Sequence, residues 1–250
     1  MSRYFAELSG CSVYVTVLPN SPDKPYSHPN IHPLPLDLTQ VDSIKEFLKV
    51  LISKGLKIDI FISNAGIVRH KLFTTQEGFE SCFAVNYLGP FILTNKLLEH
   101  NLLNFSQHKP RIIFISSDSH QASPQLNLST LGQPLPFSLT QALQIYGQTK
   151  FLLISFFSEF TRRYHGKVDT FAICPGPFFS KIGSENTPPV VGDIILALRK
   201  WMNPTAQQAA LPVLALALRD GIVGVDKKGG DLESPQVASG SYFSQLRLKS

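Results

Sequence analysis

Residues 58–66 read Ile-Asp-Ile-Phe-Ile-Ser-Asn-Ala-Gly (IDIFISNAG). The first six form a near-continuous apolar run of strand length, the kind expected of a strand covered on both faces in a parallel sheet. The run ends on a polar residue and a glycine, where backbone can approach a ligand closely. Working outward, Arg111–Ser116 (RIIFIS) and Thr170–Cys174 (TFAIC) read as further buried strands, and Ser12–Leu18 (SVYVTVL) as another. Ile31–Leu36 is a weaker strand whose two prolines assign it to a sheet edge. Thr39–Ser53 carries Val41, Ile44, Leu48 and Leu51 at helical spacing, with Asp42 or Thr39 as its cap. Phe79–Asn104 reads as a long helix locally broken at Gly89-Pro90, Gln141–Tyr164 as a long and very apolar helix, and Ala206–Leu218 as a third. A short last strand falls at Gly240–Phe243. Strands and helices thus alternate without internal repeats or a linker, which predicts one α/β domain over residues 1–250 with a mostly parallel sheet.

The composition agrees. Hydrophobic residues make up 43% and charged residues 16%, which excludes a disordered chain. The net charge of +5 comes from scattered basic residues with Arg162-Arg163 and Lys227-Lys228 as doublets, so no nucleic-acid partner is expected. Cys11, Cys82 and Cys174 stand far apart without a C-x-x-C, indicating neither a disulfide framework nor a metal site and favouring a reducing compartment. No apolar run reaches the roughly 18 residues of a spanning helix, and the first ten residues lack a signal-peptide core. A cytoplasmic or peripherally membrane-associated protein is expected.

Ligands of open parallel sheets bind beyond the carboxyl ends of the strands. Asn64-Ala65-Gly66, Ser117, Pro175-Gly176 and Asp37 follow four of the strands. Each alone also fits a loop beginning where a strand stops. Tyr146-Gly-Gln-Thr-Lys150 puts a phenol and an ammonium at i and i+4, on one helix face. A cation beside a tyrosine stabilises the phenolate and lowers its pKa from about 10, making Tyr146 a proton donor or acceptor near neutrality. An exposed i,i+4 pair is the plainer reading, and Gly147 between them costs the helix about 1 kcal/mol against alanine.

Taken in order, these stretches resemble the short-chain dehydrogenase/reductase family, and within it the branch of retinol dehydrogenases and WW-domain-type oxidoreductases. LDLTQVDSIKEF (36–47), IDIFISNAGIV (58–68), GFESCFAVNYLGPFILTNKLL (78–98), RIIFISSDSH (111–120), YGQTKFLLISFF (146–157), CPGPF (174–178) and ASGSYF (238–243) carry the resemblance, from about residue 6 to residue 245. It implies a Rossmann-type, doubly wound α/β fold and hydride transfer between a nicotinamide and an apolar alcohol or its ketone or aldehyde, of retinoid, steroid or lipid-like kind. Tyr146 then matches the general acid/base and Lys150 the residue that lowers its pKa and bonds the nicotinamide ribose. Ser117, with Ser116 as its rival, matches the hydroxyl that polarises the substrate oxygen, and Asn86 the residue holding a relay water. Asp37 with Leu38 would meet the adenine, Asn64, Ala65 and Gly66 the adenosine, and Pro175 and Gly176 the nicotinamide. The segment Gln121–Thr140 would cover the substrate with an apolar wall of Leu126, Leu128, Leu131, Leu135, Phe137 and Leu139, extended by Phe178-Phe179.

The chain departs from the pattern at its start. Gly10 and Gly55 are the glycines before residue 60, so the family's glycine-rich turn, which cradles the pyrophosphate at a helix N-terminus, has no counterpart. Residues 3–8 read as the end of the helix that follows that turn, with Gly10 as its C-cap, leaving about 25 residues of the pattern unmatched. The unmatched strand is central in this fold, between the partners Ser12–Leu18 and Ile58–Ser63. Either those two lose a neighbour, or Ser12–Leu18 slides into the central position. Leu18 stands where the branch carries an arginine for the 2′-phosphate of NADP, with Lys24 a weak substitute, so NAD and NADP both remain open. Two functions follow: an NAD(P)-dependent oxidoreductase, or a truncated, catalytically impaired relative serving as a binding scaffold. Its apolar helix at 141–164 would then form a homodimer.

Overall fold

The computed structural model describes residues 1–8, 10–21, 27–69, 71–106, 108–123, 125–176, 205–218, 239–244 and 247–249. Helices α1 (Ser2–Ala6), α2 (Val41–Ser53), α3 (Ser81–Phe83), α4 (Gly89–Glu99), α5 (Leu139–Arg163) and α6 (Ala206–Ala217) alternate with strands β1 (Val13–Val17), β2 (Ile31–Pro35), β3 (Ile60–Ser63), β4 (Arg111–Ile115), β5 (Asp169–Cys174), β6 (Ser241–Ser244) and β7 (Arg247–Lys249). The Rossmann-type α/β layering expected from the sequence is present. β3, β4, β5 and β6 pair in parallel in that order, and β7 closes the sheet antiparallel to β6.

Side-chain alternation sorts the layers. Ile112, Phe114 and Ala172 point to one face, packing with Ile44, Leu48 and Leu51 of α2, Leu93 and Leu97 of α4 and Leu153, Phe157 and Phe160 of α5. Ile113, Ile115, Phe171 and Ile173 point to the other, against Phe5 of α1 and Val213, Leu214 and Ala217 of α6. Covered on both faces, β4 is buried at every position.

β1 and β2 form a separate two-stranded parallel sheet. β1 does not slide next to β3, contrary to one expectation. Its first amide bonds to Asn30 and its last carbonyl accepts from Leu36, while Asn30 Nδ2 donates to the Ala6 carbonyl (3.0 Å), so β1, β2 and α1 lock together. β3 is accordingly less enclosed than its apolar sequence predicts: Ile60, Phe61 and Ile62 are half-buried and only Ser63 is fully buried. The prolines of β2 behave as expected. Leu36 N–H faces β1, so by alternation Pro33 and Pro35, which have no N–H, face the outer edge.

Three local features differ from the sequence reading. Gln40, not Thr39 or Asp42, caps α2 and contributes no side-chain bond; the exposed Val41 N–H instead donates to Glu77 Oε1 at 2.7 Å. The break before Gly89-Pro90 is a π turn over Ala84–Leu88, led by α3, whose buried cap Glu80 accepts from Cys82 N and Phe83 N at 2.9 Å each. β7 was not foreseen, since a three-residue strand carries too little pattern to register.

Candidate active site

The ends of β3, β4 and β5 and the first half of α5 converge on one group of side chains. Beyond β4, Ser117 caps a tight turn over Asp118–Ala122, its Oγ accepting from Ser119 N (3.2 Å) and donating to Ser119 Oγ (3.0 Å). The Ser117 hydroxyl also lies near enough to the Tyr146 phenol to pull its pKa downward. Ser116, its rival, is buried facing away from any such bond, and its hydroxyl has no partner among the described residues.

Lys150 lies one turn further along α5, 3% exposed, with Nζ donating to the Ile115 carbonyl at 2.9 Å and standing 5.7 Å from the centre of the Tyr146 ring. Gly66 crosses close above: a Cβ there would sit 3.4 Å from Lys150 Nζ and 3.6 Å from Asn86 Oδ1. Burial pushes the lysine pKa down to about 8. The Tyr146 phenol is pushed up, again by burial first, with the Ser117 hydroxyl pulling the other way. This corrects the expectation of a phenol acidified by its neighbouring ammonium. In the protein alone, desolvation is the leading influence on each group, and the ammonium donates to a backbone carbonyl.

Asn86 sits in the π turn, fully buried. Its Oδ1 accepts from Ile67 N (2.8 Å), and its Nδ2 donates to Ile67 O (2.9 Å) and Thr149 Oγ1 (3.1 Å). The side chain therefore pins the loop after β3 to α5.

Asn64 and Ala65 are exposed at the tip of β3. Pro175 and Gly176 follow β5, with Gly176 at φ 83, where glycine is favoured. The Asp118 N–H donates to the Cys174 thiol at 3.3 Å, which ties the tips of β4 and β5 together. Asp37 and Leu38 stand apart at the end of β2. Asp37 Oδ1 accepts from Thr39 N (2.8 Å) and Thr39 Oγ1 (2.6 Å), and Oδ2 accepts from Gln40 Nε2 (3.3 Å). Leu38 packs where a Cβ on Gly89 would be 2.9 Å away.

Leu126, Leu131, Leu135 and Phe137 wall a cavity of about 260 Å³ together with Gln144 and Gln148 of α5. Thr149, the neighbour of Lys150 on α5, lines the same cavity. Leu128 is 77% exposed and walls nothing. Lys24 and Phe178-Phe179 fall outside the described residues. Sequence reasoning missed Thr149, which donates to the Tyr146 carbonyl (2.8 Å), and the buried contacts of Asp118 with β6. Thr149 lay inside the very motif that was read, whereas no spacing signal links Asp118 to a strand so far along the chain. No described helix is long and apolar enough to cross a membrane.

Comparison with known proteins bears on this arrangement. The short chain dehydrogenase family model matches residues 15–128. Human retinol dehydrogenase 13 is 33% identical over 222 residues, covering 86% of this chain and 60% of that protein. Among solved structures, a 4-hydroxyisoleucine dehydrogenase mutant complexed with NADH and succinate superposes with a TM-score of 0.65 at 18% identity, over 98% of this chain and 91% of its own. An NADPH-bound carbonyl reductase from chicken fatty liver gives 0.61 at 20% identity, over 97% and 89%. The chain belongs to the short-chain dehydrogenase/reductase family, a class of oxidoreductases with a Rossmann fold. It is similar in sequence to human retinol dehydrogenase 13, and it spans about 60% of the length of that relative.

Proposed function

We propose that residues 1–250 form one short-chain dehydrogenase domain that interconverts an apolar alcohol and its ketone or aldehyde, with NAD or NADP as hydride carrier. The observation that carries the reading is the buried Lys150, its Nζ 5.7 Å from the centre of the Tyr146 ring, with Ser117 beside the phenol at the end of β4. The cofactor supplies or accepts the hydride. Ser117 and Tyr146 hold the substrate oxygen with two hydroxyls. Because burial keeps the phenol protonated at neutral pH, Tyr146 is set to donate its proton to that oxygen as the carbonyl carbon is reduced. In oxidation the same proton returns from the carbinol to the phenolate.

The fit to a dinucleotide is partial. Lys150 has three N–H donors, of which one is taken by Ile115, and glycine at 66 removes the side chain that would crowd it. That suits a ribose diol. Exposed Asn64 and Ala65 and the half-buried Asp37 suit the adenosine end. Residues 1–250 contain no G-x-G-x-x-G turn to supply pyrophosphate donors. Retinol, for which the human relative is named, is an apolar alcohol, in keeping with this reading.

A non-catalytic dimerising scaffold is the second reading, favoured by the exposed Phe91, Leu143 and Phe151 on α4 and α5. One experiment separates them. NADH or NADPH is expected to raise the melting temperature of the purified chain, and retinal or another apolar carbonyl to be reduced. Tyr146→Phe is expected to lower kcat by about 100-fold or more while keeping the thermal shift. No shift with either cofactor, in a protein that sediments as a stable dimer, selects the scaffold.

A further inference from the structure

The turn bearing Ser117 is held from two sides. On one side α5 comes so close that a Cβ on Gly147 would lie 2.8 Å from the Ser119 carbonyl oxygen. Glycine at that helical position, a cost when α5 is considered alone, is what lets the turn settle against the helix. On the other side the anchor is Asp118, the residue next to Ser117. Its Oδ1 accepts from Tyr242 Oη at 3.0 Å and its Oδ2 from Ser244 Oγ at 2.6 Å, both on β6. The sheet order is β4-β5-β6, so the carboxylate reaches across the tip of β5 to grip the strand beyond. Hydroxyls bonded to a carboxylate make short, strong hydrogen bonds, and two of them fix the side chain in plane and in direction. His120 completes the contact, its ring edge-on to Tyr242 with centroids 5.2 Å apart and its Nδ1 2.7 Å from the Ser117 carbonyl oxygen.

We infer that Asp118 is a positioning residue: by gripping Tyr242 and Ser244 it holds the turn that sets the Ser117 hydroxyl beside the Tyr146 phenol. Its kinetic consequence rests on the oxidoreductase reading above; its structural consequence does not. Without the grip, Ser117 is one rotatable peptide away from a free turn, and a displacement of the order of 1 Å at a reacting oxygen lowers turnover by about 10- to 100-fold. Binding of substrate elsewhere in the cleft is untouched, so the loss falls on kcat rather than KM.

The test compares Asp118→Ala with Tyr242→Phe/Ser244→Ala, which removes the same bonds from the far side and leaves every residue of the hydroxyl pair in place. In protein labelled with 3-fluorotyrosine, the Tyr146 signal is assigned by its disappearance in Tyr146→Phe, and Ser117→Ala gives the reference for a lost Ser117 hydroxyl. Both clamp variants are expected to raise the Tyr146 titration midpoint in the direction of Ser117→Ala. Combining all three substitutions is expected to add nothing to Asp118→Ala. On an apolar ketone with reduced cofactor, kcat falls by about 10- to 100-fold with KM held within about threefold. A Tyr146 signal that stays at its wild-type midpoint in both variants overturns the inference, whatever happens to kcat. Should the wild-type chain turn over no substrate, the functional reading fails and the fluorine measurement alone decides this one. Should Asp118→Ala fail to fold, Tyr242→Phe, which deletes one hydroxyl, is judged by the same signal.

Discussion

At the scale of single residues, Tyr146 and Lys150 show what spacing can and cannot tell. Their i,i+4 separation was readable and the structure does stack them, but the direction of their pKa shifts was not. That depends on how much water each group loses, which no one-dimensional pattern encodes. Lys150 gives a direct check. Its folded pKa is depressed from 10.5 to about 8 by burial, so between those values the unfolded chain holds a proton that the folded chain has released. Stability therefore rises with pH through that window, and below about 8 the lysine imposes a constant penalty. Lys150→Met removes the titrating group. Subtracting the variant's unfolding free energy from that of wild type, measured in urea from pH 7 to 10.5, is expected to leave a rise on the order of 3 kcal/mol. A flat difference would mean that the ammonium is as well solvated in the fold as in the open chain.

Among elements, the legible parts are those whose pattern is local. Apolar periodicity found α2, α5 and α6 to within a few residues, whereas the long helix expected over Phe79–Asn104 is α3, the π turn and α4 and ends at Glu99; the prolines of β2 placed it at an edge. The π turn at Ala84–Leu88 was visible only as a break at Gly89-Pro90, because a single wide turn inserts one residue without disturbing the apolar face. Arg111 was read merely as the first residue of a strand. In the structure it is 7% exposed, and its Nη1 donates to the carbonyls of Leu216 (3.1 Å) and Ala217 (2.6 Å), satisfying the C-terminus of α6. It also stands 3.8 Å from Asp169 and over the Phe171 ring. One guanidinium thus joins α6 to β4 and β5. Arg111→Met keeps the stem but leaves buried carbonyls unmatched, and is expected to cost about 3–5 kcal/mol in urea unfolding. Arg111→Lys is expected to recover less than half of that, since a single ammonium cannot reach two carbonyls and an aspartate from one plane. Full recovery by lysine would show that charge alone, not the fork, ties the helix down.

For the whole molecule, the alternation of strands and helices was enough to name the layering, because burying both faces of a parallel sheet leaves few other arrangements. The division into two sheets was legible only as an alternative, since sheet order is a long-range property decided by which edges find partners. In the structure each choice is visible in the amides. β4 lies between β3 and β5, and β5 between β4 and β6, so every interior N–H of these strands faces a neighbour. β1 has β2 alone and β3 has β4 alone among the described residues. Val13 N–H bonds to Asn30, so by alternation the amides of Tyr14 and Thr16 face the other edge of β1. Asp59 O accepts from Arg111 N, which by the same parity turns the amides of Ile60 and Ile62 away from β4. A laddered amide exchanges only when the sheet opens, whereas an edge amide exchanges from the native state. In amide hydrogen exchange followed by NMR, Ile112, Ile113, Phe114, Ala172 and Ile173 are expected to be the slowest. Tyr14, Thr16, Ile60 and Ile62 are expected to exchange at least about tenfold faster than their own strand neighbours, giving an alternating pattern along each edge. Protection of those four amides equal to that of β4 would mean that β1 and β3 each carry a second strand in solution, and would refute the two-sheet arrangement.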